Sequence, residues 1–140
     1  MNEQLAIDLI KKHEGLRLFP YDDGYGNLTI GYGLNISDGI TMAEAEMLLL
    51  SRVKTAVIDV MKVFGSDAFG ELSRLRQAVL IDMAYNLGIN RLATFGELIR
   101  AIQIKDFEMA ADEMLDSKWS TQVGYRAINL ATLMRTNEER

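Results

Sequence analysis

The chain has no cysteine among its 140 residues, which excludes disulfides, thiolate chemistry and cysteine-ligated metal sites together. A single histidine, His13, is too little for the usual histidine-rich ligand set. It is read as an ordinary residue on the flank of a helix, and neither a metal nor an organic cofactor is expected. One proline leaves no proline-rich linker, and there is no internal repeat or low-complexity tract. No stretch approaches the roughly 18–20 consecutive apolar residues that cross a bilayer. The opening segment MNEQLAIDLIKKHEG carries Glu3, Asp8, Lys11 and Lys12, which argues against a signal peptide, an anchor or membrane insertion. Positive charge is also short: 15 Lys and Arg face 20 Asp and Glu, a formal net charge of −5. Nucleic-acid binding relies on clustered basic residues at the phosphates, so no nucleic-acid partner is expected.

What the chain does have is apolar content, 49% of its residues, ample at this length for one compact domain or two small lobes sharing a core. Leu5, Leu9 and Ile10 fall on one side of a short amphipathic helix that starts after Asn2 and ends before Gly15. From Leu16 to Gly33 the pattern changes. Gly24, Gly26, Gly31 and Gly33 punctuate it, while Tyr21, Leu28, Thr29, Ile30 and Tyr32 favour strands. A small antiparallel sheet with an Asp-Gly turn near Asp23 and Gly24 is expected. Thr41 and Glu44 have capping-box spacing ahead of an apolar run, which predicts a helix to about Phe64, stopped by Gly65. Ser73 can cap a strongly apolar, buried helix that closes at Gly88 as a left-handed residue. Further helices are expected over Phe95–Ile102, Phe107–Leu115 and Gln122–Met134. The order of one helix, a small sheet and then helices only is an α+β, mostly α-helical fold. A small N-terminal sheet lobe and a helical C-terminal lobe should flank a substrate cleft. We expect a single domain over 1–140, with a sheet-bearing lobe at about 14–64 and a helical lobe from 1–13 and 65–140.

Glycoside hydrolysis needs one carboxyl kept protonated to assist the leaving oxygen and a second acidic or polar group to handle charge or water on the other side. Glu14 and Asp23 are the candidates. Glu14 lies at the end of the first helix, where the partial negative pole favours the protonated carboxyl, as a general acid requires. Asp23 lies in the hairpin turn, and Thr29 returns on the next strand with a hydroxyl able to orient water. Singly, each residue has an ordinary reading: a solvated helix-end glutamate, an aspartate that forms a turn, a threonine that suits a strand.

The unit is more specific than its members. The stretch from Glu14 to Gly33, EGLRLFPYDDGYGNLTIGYG, resembles the catalytic segment of the T-even-type phage lysozymes, a glycoside hydrolase family, with Asp23 and Thr29 nine and fifteen residues after Glu14. RQAVLIDMAYNLG, from Arg76 to Gly88, is similar to the family's central buried helix. SKW at 117–119 and QVGYR at 122–126 are similar to its C-terminal signature. The resemblance covers nearly the whole chain. It implies a lysozyme-like fold with Glu14 as the acid and Asp23 and Thr29 acting on water or developing charge. It also implies substrate-binding or supporting roles for Asn35, Tyr85, Asn86 and Arg126, with Asn86 and Arg126 standing behind the acid. An arginine close to Glu14 favours the carboxylate and opposes the helix-end effect. Trp119 is either a sugar platform or a core anchor, and its place between two amphipathic helices favours the core.

Three features depart from the family pattern. Leu34 stands where the family commonly has a histidine, so a structural ion pair made by that histidine is absent. The region between the sheet and the buried helix is shorter than in the largest members, which suggests a shorter or broken connecting helix. Many members are basic, whereas this chain is acidic, so engagement of an anionic wall must come from cleft contacts or from a local patch such as Lys11, Lys12 and Arg17.

The resemblance implies an endo-acting muramidase that hydrolyses the β-1,4 bond between N-acetylmuramic acid and N-acetylglucosamine in peptidoglycan, for host cell lysis. Such an enzyme is expected to be a monomer that accumulates in the host cytoplasm and acts on the wall after a separate holin-type membrane protein releases it. The rivals are a lytic transglycosylase acting on the same bond and a non-catalytic peptidoglycan-binding phage module. Chitin or chitosan offers a similar backbone as substrate.

Overall fold

A computed structural model describes residues 1–139 and divides the chain into two compact units, Met1–Met47 and the chain from Leu48 onward. The architecture is α+β, mostly helical, with one three-stranded antiparallel sheet near the N-terminus. No helix among the described residues is long and apolar enough to cross a membrane.

In the first unit, α1 runs Glu3–Glu14 and begins where Asn2 caps it, the side-chain oxygen accepting from Leu5 N at 3.0 Å. Gly15, at φ +69°, turns the chain directly into β1, Arg17–Asp22. The helix and the sheet fall in the same compact unit. The middle strand β2, Leu28–Gly31, pairs antiparallel with β1 and with the short β3, Leu34–Asn35. The turn between β1 and β2 is longer than a two-residue Asp-Gly turn, because Asp23 N bonds Asn27 O at 3.0 Å and closes five residues.

The boundary between the units falls inside α2, Met42–Phe64, which is unbroken over 23 residues. The unbroken helix corrects the expectation of a broken connection. Its start is a capping box made in full: Thr41 N donates to Glu44 Oε1 at 2.8 Å, and Glu44 N donates to Thr41 Oγ1 at 3.1 Å. Those bonds hold the Glu44 carboxyl below its ordinary pKa.

The second unit holds the apolar core. Val60 and Phe64 of α2 are fully buried with Leu80 and Met83 of α4, Arg74–Leu87. The short α3, Ser66–Gly70, and α5, Ile89–Leu92, fill stretches in which the sequence pattern showed no helix. They are followed by α6, Gly96–Gln103, and α7, Phe107–Leu115. The single helix expected over Gln122–Met134 is two, α8 at Lys118–Val123 and α9 at Tyr125–Thr136, because Gly124 takes φ +59° and ψ −116° between them. Gly88 ends α4 with φ +80° but an extended ψ of 162°, so it is a positive-φ glycine outside the left-handed helical region. Arg76 of α4 donates to the otherwise unpaired carbonyls of Met134 and Arg135 at the end of α9, at 2.8 and 3.2 Å. Its guanidinium also lies 3.6 Å from the centre of the Phe107 ring.

Candidate active site

Asp23 is held from three directions. Its Oδ1 accepts from Tyr25 N at 2.7 Å and Asn27 N at 3.2 Å, and its Oδ2 accepts from Asn27 Nδ2 at 2.9 Å. These donors stabilise the ionised form, the Asn27 carboxamide most of all, and hold the Asp23 pKa below its ordinary value. The neighbouring Asp22 instead caps its own turn, accepting from Gly24 N at 2.7 Å. Asp23 is thus a fixed carboxylate acceptor. Thr29 sits on the central strand between Tyr21 and Asn35 and is 4% exposed, the one buried polar residue among those described. Its hydroxyl donates to Asn27 O at 3.3 Å. Asn27 therefore touches both Asp23 and Thr29.

Glu14, the last residue of α1, extends its side chain alongside Gly33. A methyl built on Gly33 would lie 2.6 Å from Glu14 Cδ and 3.1 Å from Cγ, so a larger residue there would push the Glu14 side chain aside. Gly33 also has φ +76°, which glycine adopts without strain. The same loop carries Tyr32, whose ring centre is 5.3 Å from Lys11 Nζ. Arg17 lies over the Tyr21 ring at 4.3 Å. Two of the three basic residues considered as a local patch are thus parked on aromatic faces.

Asn35 pairs opposite Thr29 and uses its side-chain oxygen to accept from Ser37 N at 2.9 Å. The remaining residues lie in the second unit. Tyr85 is 46% exposed and lines a recess of about 320 Å³ with Arg52, Asp59 and Gly88. Asn86 accepts from the Trp119 indole at 2.8 Å, and Trp119 is a buried core residue, as its position between helices suggested. Arg126 donates through Nε to Asp82 Oδ1 at 2.7 Å and through a terminal nitrogen to the same oxygen at 2.6 Å. Its charge is matched within its own unit, a partner that the sequence did not suggest. A second, larger recess of about 570 Å³ is lined by Arg91, Phe95, Glu97, Glu113, Lys118 and Trp119 among others.

Three contributors were missed in the sequence: Asn27, Gly33 and Asp82. The available signals were an Asx residue four positions after Asp23 and the second glycine of TIGYG. Neither reveals which side chain it meets. Among the described residues, no group of three or more histidine, aspartate or glutamate side chains is arranged to hold a metal ion.

A helix ending in a glutamate, a small antiparallel sheet and then a helical remainder with its own core make up a lysozyme-like α+β fold. The phage lysozyme family model matches residues 11–139, and the chain belongs to that family. It is 30% identical to an endolysin of Acyrthosiphon pisum secondary endosymbiont phage 1, covering 82% of this chain and 77% of the relative. A probable T4-type lysozyme of Dictyostelium discoideum is 25% identical, with 92% of each chain covered. The pre-baseplate central spike protein Gp5 of Enterobacteria phage T4 is 27% identical over 92% of this chain but only 27% of its own length.

Proposed function

We propose that the protein is an endo-acting muramidase that hydrolyses the β-1,4 bond between N-acetylmuramic acid and N-acetylglucosamine in bacterial peptidoglycan. Glu14 donates its proton to the departing glycosidic oxygen. Asp23 and Thr29 hold the attacking water on the opposite side, and the result is inversion at the cleaved carbon. The observation that carries this reading is the pairing of a fixed, ionised Asp23 with the Thr29 hydroxyl through one intervening residue. A lytic transglycosylase, in which the muramic 6-hydroxyl attacks, has no water to hold and no use for that pair. A non-catalytic phage module has the same difficulty, although the spike-protein relative makes it the second reading to exclude.

In this reading the protein is a monomer that accumulates in the host cytoplasm and lyses the cell once a separate membrane protein gives it access to the wall. The test is digestion of purified peptidoglycan followed by mass spectrometry of the new glycan ends. Reducing muramic ends are expected. Anhydro ends would replace hydrolysis with transglycosylation, and an undigested wall would favour the binding module.

A further inference from the structure

Asn27 is the residue through which Asp23 and Thr29 are joined. Its backbone N–H and its carboxamide N–H bond the two oxygens of Asp23, at 3.2 and 2.9 Å, while its carbonyl accepts from Asp23 N at 3.0 Å and from the Thr29 hydroxyl at 3.3 Å. A hydroxyl has one proton to give and two lone pairs. At 3.3 Å this bond is long for a hydroxyl donor, and with its proton turned to the Asn27 carbonyl Thr29 offers a ligand its lone pairs. Asp23 Oδ1 already takes two donors, whereas Oδ2 takes one and keeps an open lone pair.

We propose that Asn27 is the positioning residue of the water site, fixing Asp23 Oδ2 and the Thr29 hydroxyl as two acceptors for one water. That water donates one hydrogen bond to each acceptor and presents its own lone pair to the anomeric carbon. On attack, the water oxygen bonds to the carbon and the glycosidic carbon–oxygen bond breaks. Asp23 takes the water's proton, and Glu14 supplies one to the leaving oxygen. The inference rests on the hydrolytic reading above but concerns a residue outside its acid, aspartate and threonine.

The sequence alone does not assign this role, since an asparagine between two glycine-rich turns suits any hairpin. The other ionisable groups on β1 and its turn are Arg17, Tyr21, Asp22 and Tyr25. Arg17 is stacked on Tyr21, Asp22 is engaged with Gly24 N, and β2 and β3 carry no ionisable side chain. Glu14 beside Gly33, and Tyr32 and Lys11 next to it, are unaltered by the substitution, so a change in Asp23 titration on altering Asn27 reports their direct bond.

The test combines NMR with kinetics. In the unaltered protein, the Asn27 carboxamide resonances should titrate with the Asp23 carboxyl carbon at one shared midpoint below the ordinary aspartate value. In Asn27→Ala that midpoint should rise, the acid limb of kcat should move to higher pH with it, and kcat should fall roughly tenfold to a hundredfold with KM within about twofold. Asn27→Asp, which sets a carboxylate against Asp23, should be at least as impaired. Asn27→Ala added to Asp23→Asn should cost little more than Asp23→Asn alone. Independent titration of Asn27 and Asp23 in the unaltered protein, or unchanged kcat in a folded Asn27→Ala, would overturn the proposal. Full turnover by Asp23→Asn would instead remove the catalytic role of Asp23, and the NMR coupling would then stand as a structural bond only.

Discussion

The two compact units solve different problems. Among the described residues of the first, only Thr29 is buried, while every member of the apolar core lies in the second, from Ala56 to Met134. Charge divides in the same way. Residues 1–47 contain three Lys and Arg against eight Asp and Glu, whereas residues 48–140 contain 12 of each, so the whole imbalance sits with the candidate catalytic groups. In the second unit, side chains are located by packing. In the first, Asp23 is located by three hydrogen bonds, and Glu14 lies in the space that Gly33 leaves open. Catalytic geometry built on local bonds is more easily altered without unfolding the protein than geometry built on a core.

The largest separation of the two roles is expected from Glu14→Gln. The amide keeps the shape and cannot donate the proton, so turnover should fall about 10²–10⁴-fold while the melting temperature stays put. Retention of more than about a tenth of the activity would mean that Glu14 is not the acid. Leu80→Ala is the converse. Leu80 is fully buried on α4, and its loss should cost roughly 2–5 kcal/mol of stability by denaturant titration. Turnover measured well below the melting point should be nearly preserved, and a loss of catalysis in the folded variant would break the division between the units.

Gly33→Ala tests the first unit at a smaller scale. A side chain at φ +76° costs roughly 1–3 kcal/mol, and the new methyl displaces the Glu14 carboxyl. We expect kcat to fall about tenfold with little change in KM; an unchanged kcat would show that this contact does not place the acid. The smallest effect concerns charge. With the net charge of −5 concentrated in residues 1–47, wall lysis should be flat or slightly faster as salt rises to the physiological range, where the Debye length is about 8 Å. A steep loss with salt, abolished by neutralising Lys11, Lys12 and Arg17, would show instead that a local patch governs engagement.

Local signals in the sequence carried much of the fold because they act within a few residues. The Asn2 cap, the Thr41 and Glu44 box, the Ser73 cap and α7 all form where their side chains predict. The division of Gln122–Met134 into α8 and α9 did not show, since a glycine inside an apolar period is compatible with an unbroken helix until its φ is known. The spacing of Glu14, Asp23 and Thr29 singled them out as candidates, and the structure links the last two through Asn27. Asn27 itself was not legible in the sequence, because its importance lies in the directions of its four bonds, which the five-residue turn determines. Arg126 shows the same limit. Its position in the C-terminal signature was readable, whereas its partner Asp82, 44 residues away, was not.

The central claim is that Asp23 and Thr29 hold a water that attacks directly, with no covalent link between sugar and enzyme. It is tested most directly by NMR of a short glycan substrate during the first turnovers, before mutarotation mixes the anomers. The account predicts that the muramic end is released with the anomeric configuration inverted. Release of the retained anomer would contradict it, because retention requires a nucleophile on the protein or the substrate in place of the water assigned to Asp23 and Thr29.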